Sequence, residues 1–179
     1  MLRKRFVVIV ALIMPLMLVG FGGTASAHGD DDHGWKVTVT HNPVSWTLTS
    51  EQCPNLPSGI ALAGEGQEVF TSKTRTDHHG ITHLQERSEK TGSVTDNVGN
   101  TYRFDYLNTT KSTSTDGVNF IGIMNDVFAT KGKGPGRLRN GFVARIQFDT
   151  AFTYFRADPI SQFGNPFQFP FGPGICDPI

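Results

Sequence analysis

The chain has 179 residues, with 16 Lys+Arg against 16 Asp+Glu, 37% hydrophobic residues and 18% charged ones. That balance suits one folded domain and excludes a charge-rich disordered chain or a strongly basic nucleic-acid-binding surface. Two cysteines are too few for a Cys-rich zinc site.

Residues 1–27 read as a secretory signal peptide. Arg3, Lys4 and Arg5 form a basic start, Phe6 to Phe21 a mostly apolar stretch broken by Pro15, and Ala25-Ser26-Ala27 a small-residue cleavage site. The apolar run is shorter than the roughly 18 residues of a membrane-spanning helix, so no span is expected in the mature chain. Cleavage removes three basic residues and leaves a mildly acidic secreted domain, for which nucleic acid is not an expected partner.

Residues 28–34, "HGDDDHG", are expected to form a flexible His/Asp tail, because Asp and Gly at this density bury too little apolar surface to order. Cleavage would make His28 the N-terminal residue, whose amine and imidazole together suit Cu(II). His28 and His33 are therefore the weak metal candidates, although the tail reading predicts no defined metal site and no cofactor.

Residues 35–179 read as a single β domain. "WKVTVT" and "VSWTLTS" predict one or two strands around Asn42-Pro43. Extended runs follow at about Ile60–Thr76, Ile81–Thr95, Thr101–Thr115, Val118–Thr130 and Leu138–Thr150, with a short Ala151–Arg156. The breaks "DHHG", "DNVGN", "DG" and "KGKGPG" are hairpin punctuation. Thr, Val, Phe, Tyr and Ile fill the runs, as strand propensity favours.

Alternation assigns faces. Tyr102, Phe104 and Tyr106 share one side opposite Arg103 and Asp105; Phe142, Ala144, Ile146 and Phe148 share one opposite Arg145, Gln147 and Asp149. In Val118–Thr130 both sides are apolar, so both are expected to be covered. In Ile81–Thr95 neither side makes a dry core: His83, Gln85, Arg87 and Glu89 oppose Leu84, Glu86, Ser88 and Lys90.

Long antiparallel strands joined by short turns predict a meander that closes into a single small β-barrel, because closure removes exposed edges. The alternative is a β-sandwich. The "QFGNPFQFPFGPGICDPI" segment is too rich in Pro for a central strand and is expected to wrap over the domain as an irregular lid. Outside the cytosol Cys53 and Cys176 most simply pair as a disulfide. The chain-entropy account gives a loop of roughly 120 residues about 4–5 kcal/mol. A lone nucleophilic Cys is the rival reading.

The stretches "SEQCPNLPSG", "TDNVGNTYRFDY", "RNGFVARIQFD" and the terminal "CDPI" resemble a group of small exported single-domain β proteins of actinobacteria and similar soil bacteria. That group has no established activity, so the resemblance implies no catalytic residues. A looser likeness in architecture is to barrels of the dirigent and allene oxide cyclase type.

No GxSxG, HExxH or Ser/His/Asp signature is present. "DHHGITH" reads as a polar turn, since its strand would hold His79 and His83 roughly 13 Å apart. "KGKGPGR" reads as a basic hairpin tip, and "NTT" at Asn108 matches a glycosylation sequon. Glu86 and Asp126 fall on strands where they would face a lumen beside Tyr102 or Tyr106, without an assigned role. The ligand-pocket candidates are Tyr102, Phe104, Tyr106, Phe142 and Phe148. Three functions follow in order: a non-enzymatic barrel binding a small apolar or amphipathic ligand or a surface partner, a barrel isomerase or cyclase, and a copper-binding protein using His28.

Overall fold

Runs of β-branched and aromatic residues separated by Gly- and Asp-containing turns leave this chain little choice but extended backbone. The computed structural model describes residues 29–30, 34–53, 55–151 and 153–164. Its strands are β1 (Gly29–Asp30), β2 (Lys36–Thr49), β3 (Ala61–Thr76), β4 (Thr82–Asp96), β5 (Thr101–Ser114), β6 (Asn119–Gly132), β7 (Arg139–Asp149) and β8 (Phe155–Phe163). All pair antiparallel in chain order, as one meander sheet.

Of the one or two N-terminal strands expected one is formed, and two details at the other end differ from the sequence expectation. The segment around Asn42-Pro43 is one continuous strand of 14 residues. Beyond Val37 it has no second neighbour among the described residues, so Pro43 lacks an N–H where none is required. The last strand is later and longer than Ala151–Arg156. It carries a register shift opposite Val143/Ala144, where Pro159 sits. Phe163, expected in an irregular lid, is the last residue of β8, with the Arg139 guanidinium 5.3 Å from its ring centroid.

The expected closure is not made by hydrogen bonds: no ladder among the described residues joins β8 to β1 or β2. Pro43 on one outer strand and the bulge with Pro159 on the other both interrupt regular pairing, which gives the physical reason. The sheet is nevertheless strongly rolled. Trp46 on β2 lies edge-on to Phe104 on β5 and Phe128 on β6, with centroids 5.3 and 5.5 Å apart. In a flat sheet β2 and β6 would stand roughly 19 Å apart, beyond the reach of two rings.

Glycines allow the roll. A Cβ on Gly64 would fall 2.2 Å from the Trp46 ring, and one on Gly92 would fall 2.1 Å from the Glu65 carbonyl oxygen and 2.7 Å from Phe104. Side chains at these positions would push β2, β3 and β5 apart on the concave side.

Even-numbered residues of β2–β7 point into the concave face, where two apolar clusters form. The first joins Leu48, Cys53, Leu56, Leu62, Val94, Tyr102, Phe104, Phe128 and Leu138, with Trp46 and Tyr106 packed against it. The second joins Phe120, Phe142, Ala144, Ile146 and Phe148, with Leu84, Met124, Phe155 and Ala157. The alternation read in β5 and β7 therefore holds. The expectation that both faces of β6 are covered does not, since Ile121 and Ile123 on the convex side remain exposed.

Cys53 is wholly buried, and none of the described cysteines is free. Cys176 and the remainder of the Phe-rich segment lie outside the described residues. Of the 28–34 segment, Gly29–Asp30 pairs with Lys36–Val37, while His28 and His33 lie outside the described residues.

Candidate functional site

Between the two apolar clusters the concave face is polar. Cross-strand register aligns Asn42, Glu68, Lys90, Tyr106, Phe128 and Asn140 in one row, from β2 to β7. The next row holds Thr40, Phe70, Ser88, Asn108, Asp126 and Phe142. A third brings Ser72, Glu86, Thr110 and Met124 into line. Glu86 faces inward because it lies between Leu84, packed on the second cluster, and Ser88, bonded to Glu68.

Two linked networks organise this belt. In the first, Ser88 Oγ donates to Glu68 Oε1 at 2.6 Å and Asn42 Nδ2 donates to Oε2 at 3.1 Å. Lys90 Nζ lies 3.6 Å from Glu68 Oε1 and 4.7 Å from the Tyr106 ring centroid. Burial alone would raise the Glu68 pKa, but the hydrogen bonds from Ser88 and Asn42 and the Lys90 charge outweigh it, leaving the carboxyl below its usual range. Glu68 is thus an anion paired with the Lys90 cation.

In the second, Tyr106 Oη and Asn108 Nδ2 both donate to Asp126 Oδ2, at 2.6 and 2.8 Å. Burial dominates here and holds Asp126 above the ordinary carboxylate range despite these donors. Burial, followed by the adjacent Asp126 charge, drives the Tyr106 hydroxyl far upward, so Tyr106 remains a hydrogen-bond donor at physiological pH. Glu86 also stands above its ordinary range, through burial alone.

The belt is open to solvent at one end and closed at the other. Lys90 and Glu68 side chains keep 34% and 17% of their exposure, whereas Asp126 keeps 6% and Asn140 none. The Oγ of Ser112 and both amide atoms of Asn140, like Arg75 Nε on the other face, are buried without a hydrogen-bond partner among the described residues. Such groups are costly in a closed core and useful where a polar solute enters.

Of the five aromatic pocket candidates, Tyr102 and Phe104 lie in the first cluster and Phe142 and Phe148 in the second. Phe142 also stands across from Asp126 in the second row, but of the five Tyr106 alone carries a polar group into the belt, its hydroxyl bonding Asp126. Tyr102 also fastens a loop: its hydroxyl donates to Asp96 Oδ2 at 2.8 Å and accepts from the Gly136 N–H at 2.9 Å. The Gly-rich "KGKGPGR" loop is thereby tied to the core. Asn108, the sequon residue, spends its amide on Asp126 inside the concave face.

The "DHHGITH" turn is organised by Asp77, whose Oδ1 accepts from the His79 and Ile81 N–H groups. Its Oδ2 bonds His83 Nε2 at 2.9 Å. These contacts, His83 first, lower the Asp77 pKa to about 2. No group of three or more metal-binding side chains occurs among the described residues.

Sequence reasoning placed Glu86 and Asp126 in a lumen but missed Asn42, Glu68, Ser88, Lys90 and Asn108 as their neighbours. The available signal was the strand with no dry face, whose even-numbered side supplies Glu86, Ser88 and Lys90. Comparison with protein families, curated proteins and solved structures finds no match, so the reading of this site rests on its own chemistry.

Proposed function

We propose that this is an exported binding protein that holds a small amphipathic molecule on the concave face of its rolled, barrel-like sheet. One observation carries the reading: a charged belt, reachable from solvent through Lys90 and Glu68, lies between two aromatic clusters. A face that served folding alone would gain little from Glu68, Glu86, Lys90 and Asp126, because desolvating charges opposes stability. A site that orients a ligand needs this combination of apolar walls and a few aimed polar groups. Tyr106, Phe142 and the nearby aromatic residues would border the apolar part of the ligand. Tyr106, locked as a donor, supports binding rather than proton transfer.

The neutral fluorescent probe N-phenyl-1-naphthylamine tests this reading. It is expected to bind one per chain. Ser72→Trp, which puts an indole on the half-buried concave row beside Glu86, should weaken binding at least tenfold. Arg103→Ala, on the convex side, should leave it unchanged. Absence of binding, or binding indifferent to Ser72→Trp, would refute the proposal.

Export and the Cys53–Cys176 staple belong to the same proposal, supported by the leader-like residues 1–27 and by the burial of Cys53. Intact mass of the exported protein should correspond to a chain beginning at His28, lighter by two hydrogens than its reduced form. Alkylation of two thiols without prior reduction would exclude the disulfide.

A further inference from the structure

We infer that one end of the convex face, apart from the concave site, docks on an anionic lipid bilayer. Odd-numbered residues of β3–β7 point outward there, and register lines them up in rows. One row brings Lys73, Lys111, Ile123 and Arg145 together, and the next brings Arg75, His83, Ile121 and Gln147. The outward side of a one-faced antiparallel sheet is ordinarily polar. Here Ile121 and Ile123 are 55% and 42% exposed, side by side along β6. Tyr154, also exposed, has its hydroxyl 3.4 Å from Gln147 Oε1, and Gln147 is the cross-strand neighbour of Ile121. Trp35 borders the other side, its ring 6.5 Å from that of His83.

The charges around these apolar groups are unbalanced. Lys73, Arg75, Lys111 and Arg145 have no ion pair among the described residues. Arg75 lies over the Trp35 ring at 4.8 Å, and its buried Nε has no acceptor. The nearby carboxylates are already engaged: Asp77 with His83, Glu89 with Arg87, and Asp158 with Arg156. Asp116 and Asp149, at the adjoining turns, are held by Asn119 and Thr153. Four uncompensated cations thus surround two exposed isoleucines.

Charge complementarity selects an anionic partner, and the isoleucines select among anions. A soluble polyanion would satisfy the Lys and Arg side chains and leave Ile121 and Ile123 in water. A second copy of this chain, meeting the first face to face, would set the same cations against one another. An anionic bilayer supplies both contacts, with negative headgroups at the level of the basic side chains and an apolar boundary just beneath. Tyr and Trp at the rim suit that boundary. A groove of about 210 Å³ between His83, Gln85, Lys111, Thr113, Ile121 and Ile123 gives one headgroup a seat beside the Lys111 side chain. The sheet curves away on both sides of β5 and β6, and the long stems of Lys73 and Arg145 span the gap.

Vesicle flotation tests this assignment with the exported protein at about 0.1 M salt, where surface charges act over roughly 10 Å. Vesicles of equal parts phosphatidylglycerol and phosphatidylcholine should bind the protein at least tenfold tighter than pure phosphatidylcholine. Each basic residue near such a surface contributes about fivefold, so the pair Lys111→Gln and Arg145→Gln should weaken binding at least tenfold. The pair Ile121→Thr and Ile123→Thr keeps β-branching and should weaken it about fivefold or more. Arg103→Gln, an exposed cation at the opposite end of the convex face, should leave it unchanged. Equal binding to neutral vesicles, or none to either kind, would overturn the inference. So would vesicle binding untouched by the isoleucine pair and displaced by dextran sulfate, which would make the face a polyanion site. A dimer in sedimentation velocity that the isoleucine pair dissolves would assign the face to self-contact and overturn the lipid reading. None of these outcomes bears on the concave site, whose neutral probe binds elsewhere.

Discussion

Phe104→Ala is expected to lower the free energy of unfolding by about 3–5 kcal/mol. The side chain is 1% exposed and lies edge-on to Trp46, with a tilted contact to Phe128 at 6.4 Å between centroids. Its removal deletes apolar burial and leaves a cavity where β2, β5 and β6 meet. β2 cannot close onto the neighbouring pair β5 and β6 around that cavity without changing the roll of the sheet, which places the cost toward the upper end. Arg103→Ala, one residue away on the convex face, should change stability by no more than about 0.5 kcal/mol, because exposed ion pairs contribute little. Arg103 is 71% exposed and sits 3.3 Å from Asp105, which Lys131 also engages at 2.8 Å. Urea melts of the two variants give the comparison. A larger loss for Arg103→Ala would reverse the assignment of faces.

Gly92→Ala is expected to cost about 3 kcal/mol, at the upper end of what overpacking does. The added methyl would lie 2.1 Å from the Glu65 carbonyl oxygen and 2.6 Å from the Gly66 Cα, so backbone rather than a flexible side chain must give way. The informative control is Gly99→Ala. Gly99 sits in the β4–β5 turn at φ 93° with no atom within 4 Å of a new Cβ. There the cost is backbone strain alone, about 1–2 kcal/mol. Thermal melts in which the Gly99 variant suffers more would show that β3 and β4 are not pinched together at Gly92.

Much of this fold is legible in the sequence because its strands are long, its turns are short and half-buried strands alternate with period two. "TYRFDYLN" and "GFVARIQFD" give their buried sides directly, and each hairpin break falls where Asp, Asn and Gly suggest. The manner of closure is not legible. It depends on edge geometry at Pro43 and Pro159, where one missing N–H acts on pairing between strands far apart in the chain. The site is half legible. Glu86 and Asp126 stand out as carboxyls on strands, but alternation says nothing about which residues meet across four strands. Glu68 reads as an ordinary polar residue in β3 until the register sets it beside Lys90. Size and shared side single out the aromatic candidates, and the roll of the sheet then divides them between two clusters. Only a cross-strand alignment separates those that pack from the one, Tyr106, that also bonds the belt.

The interruptions on the two outer strands have a further consequence. An open sheet whose borders presented regular, unpaired backbone would recruit other extended chains and be prone to fibrous self-association. Pro43 within β2 and the displaced register around Pro159 in β8 both spoil the template that an incoming strand needs. The sheet can therefore stay without a closing ladder and still not offer its borders to its own kind.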